Sequence, residues 1–301
     1  MIEEPSAMNF AIRYLTRYEY DSDVVDNLNA LRIKPASTAR QRCDEFGVRL
    51  NPEVRLHRHS DYFGTEVVEF EVSRPHRSLT IDVRARVSTR PAAEPPHATW
   101  EALGDPGYRE GGVEFLLQTD DDGDHPAMAE LLATTRAAES PLGMLMLISE
   151  LIPDRFEYRR GATYVDSDVR HLLDGGAGVC QDFVHLGLCL LRHHGIAARY
   201  VSGYLFAAGH GDGQESIEVD THAWLEALLP VPGEGEPVWV GADPTNRGMA
   251  GENHVKIGHG RQYSDVPPIK GVYRGSAAAS LEASVTMTRL DGVDPASIAR
   301  A

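Results

Sequence analysis

The chain has 301 residues, 42% of them hydrophobic and 25% charged, and a formal net charge of −16. Such a length accommodates two domains with a sizeable core. The acidic balance, without any basic cluster interleaved with aromatics, argues against nucleic acid or an anionic membrane surface as partner.

Residues 8–90 are expected to form an N-terminal β domain. "FAIRYLTRYEY" nearly alternates, and "EVVEFEVSR" and "SLTIDVRARVST" do so cleanly, with Leu79, Ile81, Val83 and Val87 sharing one parity. Several such strands with little helical pattern predict a small antiparallel, sandwich-like domain. Residues 91–125 read as a Pro/Ala-rich linker and an acidic loop, "TDDDGDHP". That loop is not a calcium loop of the EF-hand type. Counted from Asp120, His125 and Leu131 stand where glycine and glutamate are required.

From 126 the pattern turns helical: "AMAELLATTRAA", then "SPLGMLMLISELI", with Ser140 placed as N-cap and Pro141 at the first helical position. A third helix opens near Cys180 and stops before Gly195. Strands follow at "ARYVSGYLF", "EVDTHAWLEALLP" and "PVWVGADPTN", so residues 126–250 form an α+β core. Residues 251–292 read as a C-terminal extension with a last strand, "LEASVTMTRL", packing on the core or the N-terminal domain. Residues 293–301 are expected to be a disordered tail. No apolar run approaches the roughly 18 residues of a membrane span. The first residues, MIEEPS, are acidic where a secretory signal needs positive charge. Three cysteines make neither a disulfide framework nor a paired zinc motif, so the expected location is the cytoplasm.

The stretch "GGAGVCQDFVHLGLCLLRHHG", residues 175–195, carries the chemistry. Cys189 sits in the helix interior, as a packing cysteine does. Cys180 stands where a glycine-rich loop meets a helix N-terminus, whose free N–H groups and partial positive charge favour a thiolate. The glycines permit close approach of a substrate backbone, and the lysine and hydroxyl of a phosphate-binding loop are missing. A thiolate nucleophile needs a base and an orienter.

His222 is the candidate base. If residues 222–229 pair with 236–243 so that Ala227 faces Val238 and Leu225 faces Val240, His222 falls opposite Asp243. That face also carries Trp224 and Trp239. His185, His193 and His194 are read as polar surface or capping residues, and His171 and His210 as loop residues. No histidines form an HExxH-type pair, so neither a metal nor a cofactor is expected.

"GVCQDFVHLGLCLLRHHGIAARYVSGYL", "THAWLEALLP" and "WVGADPTN", in that order, resemble the bacterial transglutaminase-like superfamily. "FEYRRGAT", residues 10–88 and "GRQYSDVPPIKGVYRG" extend the likeness over most of the chain. The resemblance implies a papain-like core, a helix bearing the cysteine packed on an antiparallel sheet, with Cys180 as nucleophile, His222 as base and Asp243 as its orienter. It implies acyl transfer through a thioester on a peptide or protein amide. Water as acceptor gives a cysteine peptidase or amidase, the reading preferred here. An amine acceptor gives a transglutaminase, and a non-catalytic peptide-binding scaffold is the alternative from another class. Triad residues alone do not separate these, and the oligomeric state is left open. The Cys180 N–H is one oxyanion donor, with Tyr158 and Trp224 as candidates for a second. Against the family's usual first strand, residues 1–7 are expected to be an added or misassigned start.

Overall fold

Apolar alternation makes the first part of the chain a sheet: β1 (Met8–Leu31), β2 (Gln41–Asn51), β3 (His57–Ser60), β4 (Glu66–Val72) and β5 (His76–Thr89). The computed structural model describes residues 7–118, 124–163, 167–206, 216–219, 221–233 and 235–290. The acidic residues at 119–123, His210, the tail from 293 and most of the segment read as an added start lie outside the described residues. The parity seen in sequence is the buried one, since Leu79, Ile81, Val83 and Val87 are all buried. β1 is long enough to serve two sheets. Its first half pairs antiparallel with β5, and its second half with β4. The ladder with β5 is interrupted between Glu19 and Val24, the bulge that lets one strand bend between layers. Phe10, Ile12, Leu31, Val68, Phe70 and Ile81 fill the space between.

The helical part comprises α1 (Pro106–Leu116), α2 (Pro126–Thr135), α3 (Pro141–Arg155), α4 (Val169–Gly175) and α5 (Cys180–His193), with short strands β6 (Glu157–Tyr158) and β7 (Ala177–Gly178). α1 corrects the expectation of a linker over 91–125. Its sequence, PGYREGGVEFL, has too many glycines for a clear helical stripe, yet Asp105 caps it by accepting from the N–H groups of Gly107 and Tyr108. The buried Tyr108 then fixes the helix to the core. Its hydroxyl donates to Leu228 O and accepts from Ala197 N–H. Ser140 and Pro141 start α3 as expected, and Gly195 ends α5 at φ 76°.

The remaining strands are β8 (Ala198–Leu205), β9 (Ser216–Val219), β10 (Thr221–Leu229), β11 (Val238–Asp243), β12 (Gly248–Met249), β13 (His254–Gly260), β14 (Ile269–Arg274) and β15 (Ala279–Arg289). A five-stranded antiparallel sheet runs β12-β11-β10-β8-β13, which carries it past the boundary expected at 250. β14 and β15 return to β1 in the N-terminal part of the molecule. The fold is α+β, a core of helices packed on an antiparallel sheet with a β domain before it.

Odd-numbered Ala223, Leu225, Ala227 and Leu229 of β10 join one apolar cluster with Phe183, Leu186 and Leu190 of α5. Gly187 lets helix and sheet close up, because a Cβ there would meet Leu225 Cδ2 at 2.5 Å. Each fully buried leucine of this layer contributes about 1.5–3 kcal/mol. Tyr204 of β8 and Val255 and Ile257 of β13 join the β-domain cluster instead, so the core sheet lies between helices and β domain. The Tyr204 hydroxyl seals that junction by donating to Ile33 O at 3.0 Å.

Candidate active site

Cys180 is the first residue of α5, and the local sequence explains why the helix begins there. α4 ends at Gly176, whose φ of 68° is left-handed backbone that suits glycine. β7 then pairs with β6, Tyr158 facing Gly178, and leads into the turn. Val179, at the N-cap, has no polar side chain to cap with. Asp182 supplies the cap from N3, its Oδ2 accepting from Val179 N–H at 2.7 Å and from Thr163 Oγ1 at 2.6 Å. Gly178 is glycine because a Cβ would sit 2.8 Å from that Oδ2 and 2.9 Å from Asp182 Cβ. Burial pushes the Asp182 carboxyl up, against the bonds from Thr163 and Val179. The Cys180 thiol, half-buried, sits in the field of the helix N-terminus. Cys189 is fully buried in the same helix.

His222 and Asp243 meet, but by a different register from the one expected. β10 and β11 pair Leu229 with Val238, Ala227 with Val240 and Leu225 with Ala242, two residues away from the expected ladder. The expected pairing would have drawn Pro237, which has no N–H to give, into the ladder opposite Leu228. A slip of two keeps every side chain on its face. His222 therefore reaches Asp243 diagonally, with Nε2 at 2.7 Å from Oδ2. The other ring nitrogen, Nδ1, is not engaged by Asp243.

Asp243 is 1% exposed and accepts five hydrogen bonds. Oδ1 takes the N–H groups of Thr245 and Asn246, while Oδ2 takes His222, Asn246 Nδ2 and, at 3.1 Å, His254 Nε2. The N–H of Gly251 donates to His254 Nδ1, so the His254 proton is on Nε2, facing Asp243. Burial alone would raise the Asp243 carboxyl, but the bonds from His222 and His254 outweigh it and hold it well below the carboxylate range. Burial likewise opposes charge on His222. Hydrogen bonds to Asp243 and Cys180, with the charges of both, overcome it and push His222 up to about 10. Trp224 lies flat beside His222, centroids 6.3 Å apart at 30°, and edge-on to His254 at 5.2 Å.

Sequence reasoning brought Cys180, His222 and Asp243 together and missed two residues that complete the arrangement. Asn246 was legible in "DPTN", where an aspartate followed by proline reads as a turn that folds back on its own carboxylate. His254 carried no local signal. His185 is corrected: it is buried rather than at the surface, accepts from Tyr263 N–H at 3.2 Å, and burial pushes it down to about 4. Tyr158 is 45% exposed and edge-on to Phe183, beside β7; Trp224 is buried as a wall of the His222 pocket. His222, Asp243 and His254 could each offer a ligand atom to a metal, these atoms lying within 4.8 Å of one another. Such an ion would have to displace both histidine hydrogen bonds to Oδ2. A second such group, His57, His59 and Glu69, is exposed on β3 and β4.

A helix whose first residue is a cysteine, packed on an antiparallel sheet that carries a histidine and its carboxylate, is the layout of a papain-like protein. Residues 10–88 match the bacterial transglutaminase-like N-terminal region, and residues 129–244 match the transglutaminase-like superfamily. Uncharacterized protein ML0607 of Mycobacterium leprae is 32% identical over 277 residues, 91% of this chain and 96% of that one. Uncharacterized protein Rv2569c of Mycobacterium tuberculosis is 32% identical over 298 residues, 94% and 93% of the two chains. A crystal structure from Cytophaga hutchinsonii, described as a "Putative Cysteine Protease", shares the fold with a TM-score of 0.73 at 21% identity, over 96% of this chain and 93% of that one. The chain belongs to the bacterial transglutaminase-like superfamily.

Proposed function

We propose that the protein is a thiol acyl-transfer enzyme acting on amide bonds as a cysteine peptidase or amidase, with Cys180 as nucleophile, His222 as base and Asp243 as orienter. One observation carries the reading: an imidazole bonded at 2.7 Å to the buried Asp243 carboxylate and pushed up to about 10 by that carboxylate together with Cys180, the half-buried first residue of a helix. A histidine held protonated by Asp243 stabilises a thiolate at neutral pH. The thiolate attacks the amide carbonyl, forming the C–S bond, while the Cys180 N–H supports the oxyanion. His222 gives its proton to the leaving amine as the C–N bond breaks, leaving a thioester on Cys180. Water, deprotonated by His222, then attacks the thioester; the C–S bond breaks, releasing the acid and restoring the Cys180 thiolate beside protonated His222.

The test is the rate of Cys180 alkylation against pH in the wild type and in His222→Ala, read by peptide mass spectrometry. Cys43 and Cys189 are controls within each sample. Rapid alkylation of Cys180 alone below pH 7, lost in His222→Ala, is the expected result. A Cys180 no faster than Cys43, and indifferent to His222, overturns the reading in favour of a binding scaffold. Turnover of peptide amides with and without added primary amine then separates hydrolysis from transamidation.

A further inference from the structure

A second candidate site lies further along the face of the core sheet that is turned away from the helices. Where Ala223, Leu225 and Ala227 of β10 face the helices, Trp224 and Glu226 face the β domain and line a cavity of about 310 Å³. Among the described residues its cations are Arg40, Arg90, Arg199 and Lys256, against the single carboxylate of Glu226. This concentration of positive charge occurs in a chain whose net charge is −16.

The two buried cations share one counter-ion. Glu226 Oε2 accepts from Arg199 Nε at 2.6 Å and from Lys256 Nζ at 2.6 Å. One carboxylate neutralises one of them, and leaving a second charge buried without a partner is costly. Lys256 registers that cost: burial, relieved by Glu226 but added to by Arg199 and Arg40, pushes it down to about 8. Arg199 is held in place by the Trp239 indole, its guanidinium carbon 3.9 Å from the ring centroid. At the rim, Arg40 and Arg90 meet no carboxylate among the described residues. An adjoining cavity of about 360 Å³ shares both arginines and widens the basic groove. The volume is at the low end of small-molecule sites and exceeds the needs of a simple ion.

We propose that this cavity binds a small organic anion bearing at least two carboxylate or phosphate groups, held by Arg40 and Arg90 at the rim over the Arg199–Lys256 floor. Planar arginine forks match either oxyanion in bidentate fashion. The site is separate from Cys180 and stands whether or not the triad turns over an amide. His254 joins the two places, since it lines the cavity and donates to Asp243.

The probes are citrate for carboxylates and pyrophosphate for phosphates, titrated by calorimetry into the full chain at constant ionic strength, with tryptophan fluorescence as a second readout. The expected result is one saturable site with a Kd of about 1 mM or tighter for at least one probe. Binding should weaken at least about tenfold in Arg40→Gln/Arg90→Gln, a loss of charge-assisted hydrogen bonds. Arg84→Gln/Arg86→Gln, on β5 away from the cavity, removes the same charge and should leave affinity unchanged. Saturation by citrate alone assigns a polycarboxylate, and saturation by pyrophosphate alone assigns a phosphate ligand. No saturable binding of either at about 10 mM, or equal weakening in the two double variants, overturns the proposal. Circular dichroism melts confirm that both variants are folded.

Discussion

Asp243→Asn is the substitution that tests the site most directly, because an amide cannot satisfy the donors that converge there. The carboxylate accepts two backbone N–H groups on one oxygen and three side-chain donors on the other. Asparagine offers one acceptor end and one donor end. If its oxygen keeps Thr245 and Asn246 N–H, its NH₂ points at His222 Nε2–H and His254 Nε2–H, donor against donor. His222 relieves the conflict by moving its proton to Nδ1, the nitrogen that should receive from Cys180. The imidazole loses its charge as well, since Asp243 is the main opponent of the burial that disfavours it. An unassisted thiol of pKa about 8.5 is roughly 0.3% ionised at pH 6. A thiolate held by an imidazolium is ionised there but is intrinsically less nucleophilic. Alkylation of Cys180 at pH 6 should therefore fall by on the order of 10²-fold in Asp243→Asn, with amide turnover falling by about 10³–10⁴-fold. The assay is timed iodoacetamide labelling quantified by mass spectrometry, alongside a far-ultraviolet melt. A folded Asp243→Asn protein that labels Cys180 at the wild-type rate at pH 6 would refute this account of the pair.

Glu226→Gln leaves Arg199 and Lys256 buried together without their shared anion, and should cost about 3–5 kcal/mol, lowering the melting temperature by about 10 °C; a shift within about 2 °C would contradict it. Gly203→Ala should destabilise by about 1–3 kcal/mol. Its Cβ would lie 2.3 Å from Val255 O and 2.5 Å from Trp224 Cη2, so an unchanged urea midpoint would be the contrary result. The His222–Asp243 pair also sets a pH window. His222 is raised above its usual 6.5, so its stabilisation is complete below that value and is lost as pH rises toward about 10. Asp243 is depressed, so its contribution is present above the normal carboxylate range and lost as pH falls through its low folded value. The stability difference between wild type and His222→Ala, from urea unfolding, should shrink between pH 6.5 and 10; a difference that grows would reverse the assignment.

The β domain and the residues of the candidate site were legible because each has a short-range signature. Alternation with period two locates β5, and Ser140–Pro141 locates the start of α3. Cys180 announced itself by glycines before it and an apolar helix after it. The features that escaped lack such signatures. α1 is held by Asp105 and a single tyrosine rather than by an apolar stripe, so its glycines read as linker. The hairpin register depended on where Pro237 falls, which alternation alone does not weigh, and an error of two leaves every face correct. His254 lies on β13, beside β8 rather than β11, and its bond to Asp243 arises only once both strands are in place. Buried His185 failed for a related reason: its partner is a backbone N–H of residue 263, far along the chain.

The return of β15 to β1 bears on how the chain is made. Phe10 through Tyr20 pair with Arg289 through Ala279, the first long strand against the last. On the ribosome, the β1 edge meant for β15 stays open while the whole core emerges. That edge is a row of unpaired N–H and C=O groups, open to pairing with another nascent chain. The N-terminal domain, although synthesised first, is closed last, and its closure joins positions almost the full length of the chain apart. A ribosome stalled after the transglutaminase-like core but before residue 279 would leave a chain with Cys180, His222 and Asp243 all present and its oldest strand still waiting for a neighbour.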